Sequence, residues 1–361
     1  MAVSRESLLA ALDTYIDPLI GRGLVAAGAV KTIETGWIGK PKIELDLGFP
    51  AAGYAEELSE RVRVHIQQTL NCKVEVQIGW TIQSHAAQMN LKPLPNIKNI
   101  IAVASGKGGV GKSTVAVNLA LALAAEGARV GVLDADIYGP SQPRMLGVEN
   151  ERPTTSDGKR MNPVMALGLQ SMSIGYLMDA EQPMIWRGPM ATQALGQLLG
   201  ETDWQEMDYL VVDLPPGTGD IQLSLSQKIP VSGAVIVTTP QDIALLDARK
   251  GLAMFQKVEV TVLGVVENMS THVCTNCGHE EAIFGTGGGE RLAAQSGVEL
   301  LGQLPLDIRI REQADGGKPT VVAMPDSDLA QRYRGIARKA AARLAYASQT
   351  AAFPSISISD D

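Results

Sequence analysis

Gly106-Lys107-Gly108-Gly109-Val110-Gly111-Lys112-Ser113 fits the spacing G-x-x-x-x-G-K-[ST], in which a glycine-rich turn aims backbone N–H groups at a bound anion. Lys112 supplies charge to the β and γ phosphates of a nucleotide, and Ser113 offers a hydroxyl to Mg²⁺. The flanks have the order this chemistry demands. Residues 99–104, Asn-Ile-Ile-Ala-Val-Ala, read as a short buried strand. Residues 114–125 read as a helix that Glu126-Gly127 stops. An anion then sits at the helix N-terminus, on free N–H groups and the positive end of the dipole. The predicted nucleotide contacts are the whole octet and Thr114.

Working outward, residues 129–133, 209–212, 234–238, 262–266 and 300–304 are further apolar strands, with helical stretches between them. This alternation predicts an α/β fold: a mostly parallel sheet covered by helices on both faces. Before it, residues 5–15, 28–34, 42–49, 55–70 and 73–79 read as helix, strand, strand, helix and strand, a small α+β domain. Leu91-Lys-Pro-Leu-Pro-Asn96 reads as a stiff linker. The expected organisation is a small domain over 1–88, a linker over 89–97, the α/β domain over 98–348 and a disordered tail over 349–361.

Ligands of open α/β sheets bind beyond the carboxyl ends of the strands. Those ends carry Asp134-Ala-Asp136, Asp213-Leu-Pro-Pro-Gly217 and Glu267-Asn268-Met269. Carboxylates there hold Mg²⁺ through water, which assigns Asp134 and Asp213 to the outer shell of the metal. Asp136, two residues further out, is placed to orient or deprotonate an attacking water. Each aspartate alone has a plainer reading as a helix cap. Asn268 is placed either to hydrogen-bond an adenine edge or to satisfy a turn.

The 361 residues carry a net charge of −8, so the overall field recruits neither nucleic acid nor anionic membrane. No apolar run reaches the roughly 18–20 residues of a membrane span. The start, Met-Ala-Val-Ser-Arg-Glu-Ser, lacks a charged-then-apolar secretory layout, which predicts a cytoplasmic protein. Three cysteines in such a chain point to metal or redox work rather than to a disulfide scaffold.

Two of them lie in His272-Val-Cys274-Thr-Asn-Cys277-Gly-His279. A redox dithiol would have its C-x-x-C open a helix after a strand, whereas a polar loop follows here. A zinc site would recruit His272 and His279, four ligands crowded into eight residues. An iron–sulfur cubane needs four thiolates, which two chains on a two-fold axis supply. Cys72 reads as a buried apolar filler.

These residues resemble a known family. The octet with its extra lysine, Lys107, is similar to the deviant phosphate loop of the MinD, ParA and nitrogenase-iron-protein class of P-loop NTPases. Within that class, several stretches resemble the Mrp/ApbC iron–sulfur cluster carriers: Asp136-Ile-Tyr-Gly-Pro-Ser141, Trp186-Arg-Gly-Pro-Met190, Asp213-Leu-Pro-Pro-Gly-Thr-Gly-Asp220 and Thr239-Pro-Gln-Asp242. So do Glu267-Asn-Met-Ser270, the C-x-x-C and Ile283-Phe-Gly-Thr-Gly-Gly-Gly289. The amino-terminal part, with Ile16-Asp-Pro18, is similar to SufT-like assembly domains. Its Gly48-Phe-Pro-Ala-Ala-Gly53 lacks a cysteine that some stand-alone relatives carry, which favours partner docking over metal binding.

The resemblance implies a homodimer with ATP and Mg²⁺ between the subunits and slow ATP hydrolysis. Lys107 would act across the dimer, much as an arginine finger does. A [4Fe-4S] cluster would bridge Cys274 and Cys277 of both copies, arriving from scaffold proteins and leaving to apo iron–sulfur acceptors. Two rivals stand beside this reading. A positioning ATPase with a structural zinc would use the basic stretch 329–347, with Arg332, Arg334, Arg338, Lys339 and Arg343, on a lipid surface. Tyr333, Ile336 and Leu344 suffice, however, to dock that helix as an ordinary closing element. An electron-transfer reductase would space its cluster cysteines on separate loops.

Overall fold

The computed structural model describes residues 3–35, 39–85, 91–155, 158–178, 188–217, 219–274 and 276–347. Residues 89–90 of the expected linker, Trp186-Arg187 and the tail from 348 onward lie outside them. The chain divides into two compact units, residues 84–340 and residues 1–83 together with 341–361.

The small unit contains α1 (Arg5–Thr14), β1 (Val30–Glu34), β2 (Lys42–Leu47), α2 (Ala55–Leu70) and β3 (Glu75–Trp80). Its sheet runs β1-β2-β3, antiparallel then parallel. Alternating burial along β2 (Ile43, Leu45 and Leu47 inside) gives the sheet one apolar face, and Leu58, Val62 and Ile66 of α2 supply the matching stripe. Asp17 is fully buried and organises the turn after α1. It accepts hydrogen bonds from the N–H groups of Leu19 (2.8 Å) and Ile20 (3.0 Å) and from the Tyr54 hydroxyl (2.7 Å). Cys72 is half-buried at the turn into β3, not in the core as its apolar neighbours suggested. Gly48 packs against Ala345, and its N–H donates to the Tyr346 hydroxyl, so residues 341–347 close this unit.

The large unit contains β4 (Ile97–Ala104), α3 (Lys112–Ala125), β5 (Val130–Asp134), α4 (Gln142–Met145), β6 (Val164–Ala166), β7 (Leu169–Ser173), α5 (Gly188–Gly200) and β8 (Met207–Asp213). There follow α6 (Asp220–Lys228), β9 (Gly233–Thr238), α7 (Asp242–Lys257), β10 (Val262–Glu267), β11 (His272–Val273), β12 (Glu280–Glu281), α8 (Gly288–Ser296), β13 (Leu300–Gln303), α9 (Ile308–Asp315), α10 (Thr320–Ala323) and α11 (Asp328–Ala347), whose residues from 341 onward belong to the small unit. Eight strands form one sheet in the order β13-β10-β9-β4-β8-β5-β7-β6, parallel except at the β6 edge. The central strands are buried throughout, Lys98 near the start of β4 apart, as runs of Val, Ile and Leu covered on both faces must be.

Crossover handedness sorts the helices into layers. The step from β4 through α3 to β5 runs towards one edge, whereas those through α6, α7 and α8 run towards the other. Right-handed connections therefore put α3 on one face and α6, α7 and α8 on the opposite one. On the α3 face the carboxylate of Glu126, fully buried at the end of α3, takes the Arg334 guanidinium at 2.7 Å and that of Arg338 at 3.6 Å. Ile336 fills the space beside Gly302. Two of the basic residues read from the sequence thus serve internal packing. The stretch read as a linker is also engaged, since Asn96 donates to the Trp204 carbonyl at 3.1 Å.

Each apolar strand expected from the sequence is present, with ends moved by one or two residues. The β6–β7 hairpin was not expected. Leu169-Gln-Ser-Met-Ser has no apolar run, yet all five residues are buried. Their polar groups are matched inside: Ser171 Oγ with the Tyr176 hydroxyl (2.8 Å), and Ser173 Oγ with Asp134 (3.1 Å).

Asp17→Ala would strand three donors in the small unit, so we expect a loss of about 3 kcal/mol, from roughly 1 kcal/mol per unsatisfied group. Urea unfolding of the full chain checks this; a change under about 0.5 kcal/mol would show the turn to be held by other contacts.

Candidate functional site

The loop between β4 and α3 is fixed at both ends by the protein's own contacts. Ser105 Oγ donates to the Lys107 carbonyl (2.9 Å), and the Gly217 N–H donates to the Ser105 carbonyl (3.0 Å). A Cβ on Gly106 would lie 2.2 Å from the backbone oxygen of Asp247, so only glycine lets α7 approach. Gly111 takes φ +83°, and a Cβ there would meet Asn268 Nδ2 at 2.2 Å. No side chain caps the start of α3, which leaves its first N–H groups turned to the loop.

Behind the loop, the parallel register sets Asp134 of β5 directly beside Asp213 of β8. The Lys112 ammonium, only 5% exposed, bonds to Asp213 Oδ1. It also lies 3.6 Å from Asp136 Oδ2 and 3.2 Å from Ser113 Oγ. The other oxygen of Asp213 accepts from Gln142 Nε2 at 2.9 Å. Burial, together with the adjoining charge of Asp213, raises the pKa of Asp134. Burial also raises that of Asp136, against the opposing pull of Lys112.

The predicted carboxylates thus converge, but they differ in what they are free to do. Asp134 accepts from the N–H groups of Asp136 (3.2 Å), Ser141 (2.9 Å) and Gln142 (3.0 Å) and from Ser173 Oγ (3.1 Å). Three of these bonds fall on Oδ2 and one on Oδ1, so the turn claims most of this carboxylate's acceptor sites. Asp134 thus shapes the 134–142 turn, while Asp213 and Asp136 face the lysine. Asn268 is buried and donates from Nδ2 to the Val110 carbonyl at 2.9 Å, which ties this side chain to the loop. Lys107 is exposed and makes no ion pair among the described residues. Two buried oxygens, Ser141 Oγ and Gln142 Oε1, have no hydrogen-bond partner among the described residues. Gln142 escaped the sequence reading because it follows a motif and belongs to no spacing rule.

Six residues beyond Asn268, the chain reaches the cysteines. The β11–β12 pair, with His272 opposite Glu281, forms a small hairpin whose tip carries Cys274, Asn276, Cys277 and Gly278. The Cys274 N–H donates to the His279 carbonyl, and the Gly278 N–H donates to the Cys274 carbonyl, both at 2.9 Å. Gly278, at φ +71°, makes the reversal. Both thiols are free, Cys277 exposed and Cys274 half-buried. N–H groups of Cys277 and Asn276, with the Cys277 side chain, lower the pKa of Cys274 and favour its thiolate. His272 turns Nδ1 to the Leu306 carbonyl (3.2 Å). Among the described residues, no three of His, Cys, Asp and Glu gather as a metal site.

A parallel sheet with a glycine-rich loop at the start of α3 and acidic residues on the adjoining strand ends defines a P-loop NTPase. The chain belongs to the NUBPL iron-transfer P-loop NTPase family, whose model matches residues 96–341. A model described as an iron-sulfur cluster assembly protein matches residues 5–78. The iron-sulfur cluster carrier protein of Haemophilus influenzae is 52% identical over 337 residues, spanning 92% of this chain and 90% of that protein. The iron-sulfur cluster transfer protein NUBPL of Mus musculus is 52% identical over 255 residues, spanning 70% and 80%. Among solved structures, a nucleotide-binding protein in complex with ADP from Archaeoglobus fulgidus superposes with a TM-score of 0.56 at 38% identity, covering 65% of this chain and 91% of that one. The cell-division ATPase MinD of Pyrococcus furiosus shares the fold at 23% identity and a TM-score of 0.50, covering 67% and 97%.

Gly111→Ala would force a positive φ on a side-chain-bearing residue and push into Asn268. Strain of about 1–3 kcal/mol is expected to weaken nucleotide binding about tenfold or more. Titration with a fluorescent ATP analogue measures it; an affinity within about twofold of the unaltered protein would mean that the loop tolerates a Cβ.

Proposed function

We propose that this chain is an ATP-hydrolysing iron–sulfur cluster carrier that works as a homodimer. The carrying observation is the hairpin: two thiols at its tip, no metal-ligand cluster of His, Cys, Asp and Glu around them among the described residues, and a root on the strand end that grips the phosphate loop. Two copies facing each other would supply the four thiolates of a [4Fe-4S] cluster, the cargo. A cargo held half by each subunit is suited to being handed from scaffold proteins to apo acceptors. The names of the relatives support the same assignment.

At the nucleotide, the loop N–H groups from 106 to 114 would wrap the phosphates, and Lys112 would leave its carboxylates to take the β and γ oxygens. The residues present fit a hydrated Mg²⁺: Ser113 offers a hydroxyl, Asp213 a carboxylate, and two buried oxygens nearby await donors. When bound, Mg²⁺ neutralises charge on the phosphate oxygens. Asp136 would orient the attacking water. Lys107, exposed on the loop, would reach the partner's phosphates. Closure of the dimer on ATP would change the spacing of the paired hairpins and so gate loading or release. The positioning-ATPase alternative loses its main support, because Arg334 and Arg338 are turned to Glu126.

Anaerobic reconstitution with ferrous iron and sulfide, followed by metal analysis and native mass, tests the reading. About four irons per dimer, lost in Cys277→Ser with ATP affinity kept, is the expected result. One zinc per monomer that iron does not displace would overturn it. Lys107→Ala should bind ATP but scarcely hydrolyse it, since such groups are worth about 10³–10⁵ in rate. Turnover within about threefold of the unaltered protein would remove the cross-dimer role.

A further inference from the structure

Gln142 is fully buried at the start of α4 and touches three segments at once. Its N–H donates to Asp134 at 3.0 Å, and its Nε2 donates to Asp213 Oδ2 at 2.9 Å and to the Ser113 carbonyl at 3.1 Å. Both side-chain partners are acceptors only, so the amide cannot be turned round: nitrogen faces them, and Oε1 is forced the other way. Among the described residues Oε1 then has no donor, although it is buried, and neither has Ser141 Oγ on the preceding residue. Buried acceptors of this kind are rare unless water or an ion completes them. Lys112, the nearest strong donor of the site, is occupied by Asp213, Asp136 and Ser113.

We propose that Gln142 is a positioning residue of the nucleotide's divalent-cation site. Its Nε2 fixes Asp213 against the loop, and its Oε1 accepts a hydrogen bond from a water of the hydrated cation. Two facts favour a cation-bound water over an ordinary buried one. The groups that anchor the amide, Ser113 and Asp213, are those the site offers to the cation. A metal polarises its water into a strong donor, which an orphaned carbonyl oxygen receives well. The inference rests on the nucleotide reading above and adds to it a residue that no phosphate-loop spacing rule specifies.

The test measures ADP affinity of the full chain by calorimetry, once with excess Mg²⁺ and once with EDTA. In Gln142→Met we expect affinity in EDTA within about twofold of the unaltered protein, and the gain conferred by Mg²⁺ reduced about tenfold, the worth of one charge-assisted hydrogen bond. Gln142→Asn keeps the amide but withdraws it by one methylene, and should show the same selective loss; it decides alone if the methionine variant does not fold. A Mg²⁺ gain equal to that of the unaltered protein in a folded variant overturns the role of Gln142. Equal losses with and without Mg²⁺ also overturn it, since they mark a packing residue. If the unaltered protein binds ADP in neither buffer, the nucleotide reading itself falls, which is a separate outcome.

Discussion

The buried ammonium of Lys112 joins the P-loop to two other strand ends. It bonds Asp213 at the end of β8 and faces Asp136 beyond β5, with Ser113 beside it. In so dry a place an uncompensated charge is intolerable, so the lysine and its carboxylates constrain one another. The sheet register brings the partners to the spot: Asp134 and Asp213 are neighbours in the ladder, and Val103 of β4 pairs with Asp213 on its other side. The site is thus a property of strand order. Any shift of β5 or β8 by one residue would turn the aspartates to opposite faces.

Asp134 shows how such a cluster is divided between structure and chemistry. Hydrogen-bonded through both oxygens and pushed up by burial, it builds the turn that presents Gln142. Gln142 in turn steadies Asp213. The lysine therefore meets carboxylates whose positions are set from behind, which is what electrostatic preorganisation requires.

Much of this was legible in the sequence for a physical reason. Buried parallel strands must be apolar along their length, so residues 209–212 and 262–266 announce themselves, and the first charged residue after each marks the functional edge. The octet was legible because its glycines answer to backbone geometry. The β7 strand was hidden because Ser171 and Ser173 are buried through hydrogen bonds to residues that no local pattern names. Gln142 and the Glu126 pair with Arg334 were hidden likewise: their partners lie 71 and 208 positions away in the chain. For Asn268 the sequence left a base edge and a turn open, and the bond seen is to the Val110 carbonyl of the loop.

The hairpin with the cysteines behaves as a short lever. Its inner end is Asn268, bonded to the phosphate loop. Its fulcrum is the end of β13 and the strand's exit, where the Ser270 N–H donates to the Leu304 carbonyl (2.9 Å) and the Leu306 N–H to the Thr271 carbonyl (2.7 Å). Its outer end is Cys274, at most about 20 Å of extended chain from Asn268. Phosphate loop and thiols are therefore joined by six residues of chain that are pinned between their ends to the stretch that follows β13.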